Sequence, residues 1–140
     1  MTPFIAKLIE RGCVTTHANC PLDDLIVILA KRRIGTVVVV DRDQHVIGIV
    51  SERDIIRHLS TGGTTADTFA KNIMTNKVIT VENNVTSAQL MKLITEHHIR
   101  HVPITRDGKL VGIVSIGDVV KRLLEKYEQE AELIKQFINS

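Results

Sequence analysis

The chain has 140 residues, of which 44% are hydrophobic and 24% are charged, and these proportions are typical of an ordinary globular domain with its own core. Its 18 basic and 16 acidic side chains leave a formal net charge of only +2, which argues against nucleic acid or an anionic membrane surface as the main partner. No apolar run is long enough to span a membrane, so we expect no membrane contact.

The first half of the chain predicts a helical segment over residues 1–12 and then the order strand, helix, strand, strand, helix. Leu22, Leu25 and Leu29 share one face at helical spacing, and Pro21 suits the first position of a helix. A β-branched run follows that is typical of a buried strand. The predicted elements are a strand at 14–16, a helix at 21–29, strands at 36–41 and 46–50, and a helix from Ser51 to about Leu59.

The second half predicts the same order of elements. Thr86, with Gln89 three residues later, resembles a capping box at the start of a helix, and Asp107-Gly108 is a strong hairpin signal. Gly62-Gly63 marks a flexible link between the halves, followed by a short helix. The predicted elements are a strand at 78–81, a helix after Thr86, strands at 101–105 and 110–114, and a long helix from Ser115.

The two halves are copies of one unit. Residues 48–54 read Gly-Ile-Val-Ser-Glu-Arg-Asp and residues 112–118 read Gly-Ile-Val-Ser-Ile-Gly-Asp, so Gly, Ser and Asp recur at the same offsets. One three-stranded sheet covered on a single face would be marginal alone. We therefore expect a mixed α/β (α+β) fold of two tandem β-α-β-β-α repeats packed sheet to sheet. The predicted boundaries are an N-terminal segment at 1–12, repeat 1 at 13–60, a linker at 61–76, repeat 2 at 77–122 and a helical extension at 123–140.

The two motifs at 48–54 and 112–118 resemble the ribose-phosphate motif of cystathionine-β-synthase (CBS) domains. In that family Gly, an apolar residue, any residue, Ser or Thr, two residues, and Asp or Asn follow one another. The resemblance covers about residues 13–122, and the chain is similar to short bacterial stand-alone proteins made of one CBS pair, which is called a Bateman module. This resemblance implies a non-catalytic regulatory module that senses an adenine nucleotide in clefts between its repeats.

The chemistry of the motif agrees with that implication. Asp54 and Asp118 each offer two acceptor oxygens for the two hydroxyls of a ribose. Ser51 and Ser115 stand at helix starts, where free backbone N–H groups and the helix dipole favour phosphate. The glycine before each serine would let a ligand approach the backbone. The alternative is structural: serine is a common helix cap, and an acidic residue stabilises the first turn.

The resemblance also implies which residues hold the base and the phosphate. In the family the first strand of each repeat holds the base, which implies Thr16 and Thr80, although His17 replaces an apolar residue of the pattern in repeat 1. Basic residues at the start of the second strand imply that Arg100 and His101 hold phosphate. Arg53 is a further candidate. The matching positions of repeat 1, Gly35 and Thr36, carry no charge, so we expect two sites that are not equivalent.

The identity of the ligand stays open at this point. AMP is the first expectation, and NAD(H) and ATP are alternatives because both contain adenosine. We expect no catalytic residue, no catalytic cofactor and no metal, since the histidines at 97, 98 and 101 lack a rigid ligand spacing. Cys13 and Cys20 form neither a disulfide framework nor a Cys-x-x-Cys pair, and the start of the chain lacks a secretory signal. We therefore expect a cytoplasmic protein.

The predicted extension after residue 122 indicates a further role. Its apolar residues fall close to one helical stripe, which predicts either packing on the chain itself or a contact between two copies. We expect a homodimer and a protein partner of unknown identity. The competing hypothesis is an interaction scaffold that binds no nucleotide and dimerises through its terminal helices, and nucleic-acid binding is the weakest option. The stripe contains Val120, Leu123, Leu124, Tyr127, Ala131, Ile134 and Ile138.

Overall fold

The structure is a computed structural model that describes all 140 residues. It confirms two copies of the predicted unit, each made of a strand, a helix, a two-stranded hairpin and a helix. The first copy is preceded by helix α1 (Pro3–Arg11), and the second by the short helix α4 (Ala70–Ile73). The first copy contains β1 (Thr15–Thr16), α2 (Leu22–Arg32), β2 (Thr36–Val40), β3 (Val46–Ser51) and α3 (Glu52–Ser60). The second contains β4 (Val81–Glu82), α5 (Ser87–His97), β5 (His101–Arg106), β6 (Lys109–Ser115) and α6 (Ile116–Asn139).

Each repeat forms its own three-stranded sheet with the same topology. The central strand, β2 or β5, pairs in parallel with the short first strand and antiparallel with the last strand. The strand predicted at 78–81 is shorter in the structure, because only Val81 and Glu82 pair with β5. Thr75, six residues earlier, forms a bridge with Ile49 of the other repeat. The segment between Thr75 and Val81 therefore runs from one sheet to the other.

Both faces of each central strand are buried, as sheet-to-sheet packing requires. Val37 and Val39 of β2 lie in the core beneath the helices of repeat 1, whereas the alternating Val38 and Val40 are buried on the opposite face. The same alternation holds for β5 in the core of repeat 2. The two hairpins are also joined by a hydrogen bond of 2.9 Å from the Leu110 N–H to the carbonyl oxygen of Gln44.

The helix that precedes each repeat packs on the other repeat. Ile5 and Leu8 of α1 are buried in the core of repeat 2, and Ala70 of α4 is buried in the core of repeat 1. The crossing segments lie against the glycines of the two motifs. A Cβ at Gly48 would lie 2.3 Å from the Met74 sulfur, whereas a Cβ at Gly112 would make only an ordinary van der Waals contact, 3.4 Å from the backbone of α1. The space beside Gly48 is therefore filled by Met74, which corrects for repeat 1 the expectation that this glycine makes room for a ligand.

Helix α6 begins in the core and ends in solvent. Val119 is buried in the core of repeat 2 and Leu123 packs against that core. Lys126 donates a hydrogen bond of 3.2 Å to the Ser87 hydroxyl of α5. From Leu124 to the end of the chain every side chain is exposed. None of the helices combines the length and the apolar character that a membrane crossing needs.

Candidate functional site

Two clefts lie between the repeats, and each takes one motif from one repeat and one strand start from the other. The larger cleft has a volume of about 800 Å³, and the smaller has a volume of about 410 Å³. The larger cleft is lined by Arg11, Gly12, Cys13, Val14, Thr15, Arg32, Ile34, Gly35, Thr36, His101, Ile113, Ser115 and Asp118. The smaller cleft is lined by Gly35, Thr36, Ile49, Ser51, Glu52, Arg53, Asp54, Thr75, His98, Ile99, Arg100 and His101.

The serine and aspartate of each motif form a reciprocal cap at the start of a helix. The Asp54 N–H donates to the Ser51 hydroxyl at 3.2 Å, and the Ser51 N–H donates to Asp54 Oδ2 at 2.8 Å. Ser115 and Asp118 make the same two bonds at 3.1 and 2.8 Å. The capping role is therefore present in both repeats. Because the cap uses only Oδ2 of each aspartate, Oδ1 can accept hydrogen bonds from other donors.

In the larger cleft, Asp118 is paired with a residue of α1. The Arg11 guanidinium donates to Asp118 Oδ1 and Oδ2, both at 2.9 Å, and to the Ile113 carbonyl oxygen at 3.0 Å. Burial acts to raise the pKa of Asp118, but the hydrogen bonds from Arg11 and Ser115 outweigh it and hold the pKa below its ordinary value. The hydrogen bond with Asp118 in turn raises the pKa of Arg11. Arg11 and Asp118 are thus both charged and paired at neutral pH.

In the smaller cleft, the corresponding aspartate is held more loosely. Asp54 Oδ1 accepts from Arg57 of its own helix at 3.4 Å, and Asp54 Oδ2 accepts from the Ser51 hydroxyl at 3.0 Å. No segment preceding a repeat donates to this carboxylate. Arg53 and Arg100 line the same cleft, so this cleft has two arginines and a carboxylate among its lining residues. This arrangement suits a ligand that carries both a diol and an anionic group.

His101 lies where the two clefts meet. It lines both of them, and its Nδ1 lies 3.3 Å from the Thr36 hydroxyl oxygen of the other repeat. Burial lowers the pKa of His101, with Asp118 acting to raise it and Arg100 acting to lower it. In this position the ring can exchange a hydrogen bond with the Thr36 hydroxyl.

The structure brings most of the expected site residues together but places the two threonines elsewhere. Ser51, Arg53, Asp54, Arg100 and His101 line the smaller cleft, and Ser115 and Asp118 line the larger one with His101. Thr16 is buried and lines neither cleft, and Thr80 is exposed just before β4.

Strand register explains the position of the threonines. Thr16 pairs with Val39, and Val81 pairs with Ile104, which is the counterpart of Val39 in the second sheet. Thr16 is therefore equivalent to Val81, and Thr80 is equivalent to Thr15. Thr15 lines the larger cleft, so the threonine alignment made from the sequence is off by one residue in repeat 1.

Sequence reasoning missed two arginines of the larger cleft. Arg11 ends α1, outside the repeated unit, and Arg32 ends α2. Neither arginine belongs to the motif at 112–118. The one sequence feature that could have indicated them is a basic residue just before an expected strand. Cys13 lies beside them, where burial raises the pKa of its thiol to about 11. This thiol is protonated and unreactive at neutral pH.

Comparison with known proteins agrees with this geometry. The CBS domain model matches residues 5–61 and 70–125. A protein with CBS domains from Burkholderia ambifaria is 36% identical, with a TM-score of 0.78 over 86% of this chain and 93% of that chain. A CBS domain protein from Pyrobaculum aerophilum, solved in complex with AMP, is 32% identical, with a TM-score of 0.74 over 81% of this chain and 88% of that one.

Among curated proteins, the mitochondrial CBS domain-containing protein CBSX3 of Arabidopsis thaliana is 33% identical over 120 residues, which are 82% of this chain. The matched region spans 58% of that protein's length, so the chain corresponds to rather more than half of this longer relative. The two matches to the CBS model coincide with the two sheets and include both motifs. The chain therefore belongs to the CBS domain family, and its two repeats form a CBS pair, a regulatory type of module.

Proposed function

We propose that this CBS pair binds adenosine nucleotides in its two clefts and performs no chemistry itself. The observation that carries the proposal is the composition of each cleft. A Ser-x-x-Asp motif from one repeat faces the start of the central strand of the other, and arginines line the same space. The AMP complex of the Pyrobaculum aerophilum relative supports an adenosine ligand.

The proposed roles follow from what each side chain offers. Asp54 and Asp118 accept from ribose hydroxyls, and Ser51 and Ser115 lie at the helix starts that favour phosphate. Thr15 takes the role at the base that the sequence assigned to Thr16. For Thr80, the residue equivalent to Thr15, we propose the same role at the base in the smaller cleft. The groups proposed to hold phosphate are Arg53 and Arg100 in the smaller cleft and Arg32 in the larger cleft, with His101 as a hydrogen-bonding partner between them.

The cysteine at the larger cleft lacks the features of an activated nucleophile. The Cys13 thiol is protonated, because burial raises its pKa to about 11. Nucleophilic catalysis needs a serine or cysteine beside a base or with a lowered pKa. Both cysteines are free thiols, which fits the reducing cytoplasm that we propose as the location.

Calorimetric titration tests the proposal directly. Nucleotide-stripped protein is titrated with AMP, ATP, NAD and NADH, with GMP as a control for the base. We expect adenosine-specific binding that Asp54→Ala and Asp118→Ala each reduce and that the double variant abolishes. The matched control is Asp24→Ala, which removes an exposed carboxylate of α2 outside both clefts. Absence of heat from every ligand in folded protein, or undiminished binding by the double variant, would contradict the proposal.

A homodimer is the second part of the proposal, and α6 is the surface that favours it. The apolar side chains of α1 pack on repeat 2, where Ile5 and Leu8 are buried. The exposed stripe of α6 repeats with alternating steps of four and three residues, the heptad spacing of a coiled coil. Two copies would bury this stripe against each other. The stripe consists of Val120, Leu124, Tyr127, Ala131, Ile134 and Ile138.

The charges beside the stripe favour parallel over antiparallel helices. In a parallel pair, the position five residues after Glu130 on the other helix is Lys135, so each copy contributes one opposite-charge contact. In an antiparallel pair with the same core, the midpoint is residue 129, which brings Glu128 and Glu130 of one copy against the same glutamates of the other. We therefore propose a parallel pair. The competing hypothesis is a nucleotide-independent scaffold. It would pair through the same stripe of α6, but its clefts would bind no nucleotide.

A further inference from the structure

We propose that Arg11 competes with the ligand for Asp118, so that occupancy of the larger cleft is transmitted to the last turn of α1. This inference rests on the proposed function, because it assigns a regulatory contact to the same cleft. Arg11 ends the helix that precedes β1, and its ion pair joins that helix to the motif of repeat 2.

The contacts of Asp118 leave little room for a ribose while Arg11 is bound. Oδ1 and Oδ2 both accept from the guanidinium at 2.9 Å, and Oδ2 also accepts from the Ser115 N–H at 2.8 Å. The Asp118 side chain is only 19% exposed. A diol that uses both carboxylate oxygens needs the positions that the guanidinium occupies. Ribose and Arg11 are therefore alternative partners of one carboxylate.

The release of Arg11 has a local consequence for α1. Upstream, Ile5 and Leu8 anchor the helix in the core of repeat 2. The side chain of its last residue, Arg11, bonds only Asp118 and the Ile113 carbonyl oxygen. Gly12 follows at φ 79° and has open space around its Cβ position. The last turn and the link to β1 can therefore loosen while the body of the helix stays docked.

The smaller cleft has no residue equivalent to Arg11 that competes for its aspartate, so the proposed competition is specific to the larger cleft. By strand register, the residue equivalent to Arg11 is Asn76, which is exposed and makes no hydrogen bond to Asp54. Asp54 has only its own helix's Arg57 at 3.4 Å, besides Ser51. The Asp54 side chain is 11% exposed, and a ligand that binds it would displace Arg57 of the same helix rather than a segment of the other repeat. The two clefts therefore respond differently to the same nucleotide.

Adenosine is the most direct probe, because it offers the ribose without a phosphate that could attract Arg11. Titrations use the Asp54→Ala background, so that the heat reports on the larger cleft. We expect Arg11→Gln to bind adenosine about fivefold more tightly, the effect of removing a partly exposed ion pair worth on the order of 1 kcal/mol. The matched control is Lys7→Gln, an exposed cation one turn earlier on α1 that touches neither cleft.

Hydrogen exchange provides a second readout in the unmodified chain. Saturating adenosine should speed exchange of the backbone amides of residues 8–12, whereas Arg11→Gln should exchange rapidly there with or without ligand. Weaker binding by Arg11→Gln would make Arg11 a ligand-holding residue and overturn the proposal. Unchanged affinity together with unchanged exchange would also overturn it but would leave the proposed function standing. If neither the unmodified chain nor any variant binds adenosine nucleotides, the proposed function fails, and the inference fails with it.

Discussion

The Arg11 guanidinium and the Asp118 carboxylate meet in a bidentate ion pair with both N–O distances at 2.9 Å, although 107 residues separate them in the chain. The pair joins the helix before repeat 1 to the last helix of repeat 2. It also binds the Ile113 carbonyl oxygen of β6, so three elements meet at one side chain. This contact stabilises the ligand-free protein as well as controlling access to the carboxylate.

Arg11→Ala should lower the free energy of unfolding by about 1 kcal/mol at pH 7, a figure already reduced for solvent screening because the Arg11 side chain is 49% exposed. The pKa of Asp118 is lowered in the folded state, so its contribution is present above the ordinary value of about 3.9 and is lost as the pH falls below that value towards the folded pKa. Urea unfolding at pH 7 and at about pH 3 should therefore show a smaller difference between parent and variant in acid. An equal difference at both pH values would assign the effect to the packing of the arginine stem.

The imidazole of His101 should titrate below the ordinary histidine pKa of about 6.5, because burial at the meeting point of the clefts lowers its pKa. The unfolded chain then binds a proton that the folded protein resists, so stability falls as the pH drops below about 6.5. NMR titration of the ring should show the low pKa. Arg100→Gln should raise it, since Arg100 acts to lower it. A rise of the His101 pKa above 6.5 in the unmodified, ligand-free protein would contradict the burial argument.

Gly48→Ala should destabilise the protein by about 1–3 kcal/mol through overpacking. The new Cβ would lie 2.3 Å from the Met74 sulfur and 2.8 Å from Met74 Cγ, so the Met74 side chain or one of the two segments must move. Gly112→Ala is the matched control, because its closest contact is 3.4 Å and a smaller cost is expected. Adding Met74→Ala to Gly48→Ala should recover part of the loss in urea unfolding. Equal costs for the two glycine variants would count against the crossing segments as their cause.

Charge reversal tests the parallel pairing of α6. Glu130→Lys alone and Lys135→Glu alone should each raise the dimer dissociation constant by about three- to tenfold at low salt, because each places like charges opposite each other. The double variant should restore pairing. Sedimentation equilibrium measures all three, with Glu132→Lys, two residues further along and off the stripe, as the control. Unchanged dissociation constants for both single variants would contradict the parallel arrangement.

Two further variants test the apolar stripe of α6 as the dimer interface. Ile134→Glu should yield monomers, whereas Leu133→Glu, its equally exposed neighbour on another face of the helix, should leave the dimer intact. Both side chains project into solvent in the single chain, so neither change should affect folding, and circular dichroism checks this. A monomeric parent protein, or a dimer that survives Ile134→Glu, would remove α6 as the interface.

The amino-acid sequence alone determined the repeated unit, the order of its elements and the two Ser-x-x-Asp motifs. These features are local: apolar spacing, turn residues such as Asp107-Gly108 and helix caps act within a few residues, and duplication makes each signal appear twice. The resemblance to CBS domains also pointed to the arginine and histidine at 100 and 101, and the structure places both at the smaller cleft.

Only the tertiary structure decided which residues of different segments meet. Strand register exchanged Thr16 for Thr15 at the larger cleft, because a shift of one residue moves a side chain to the other face of a strand. The crossing of α1 onto repeat 2 brought Arg11 to Asp118, a contact without any counterpart in the repeat pattern. Burial between the repeats lowers the pKa of His101. Register, long-range contact and burial depend on the whole packed chain, and for that reason local sequence signals did not contain them.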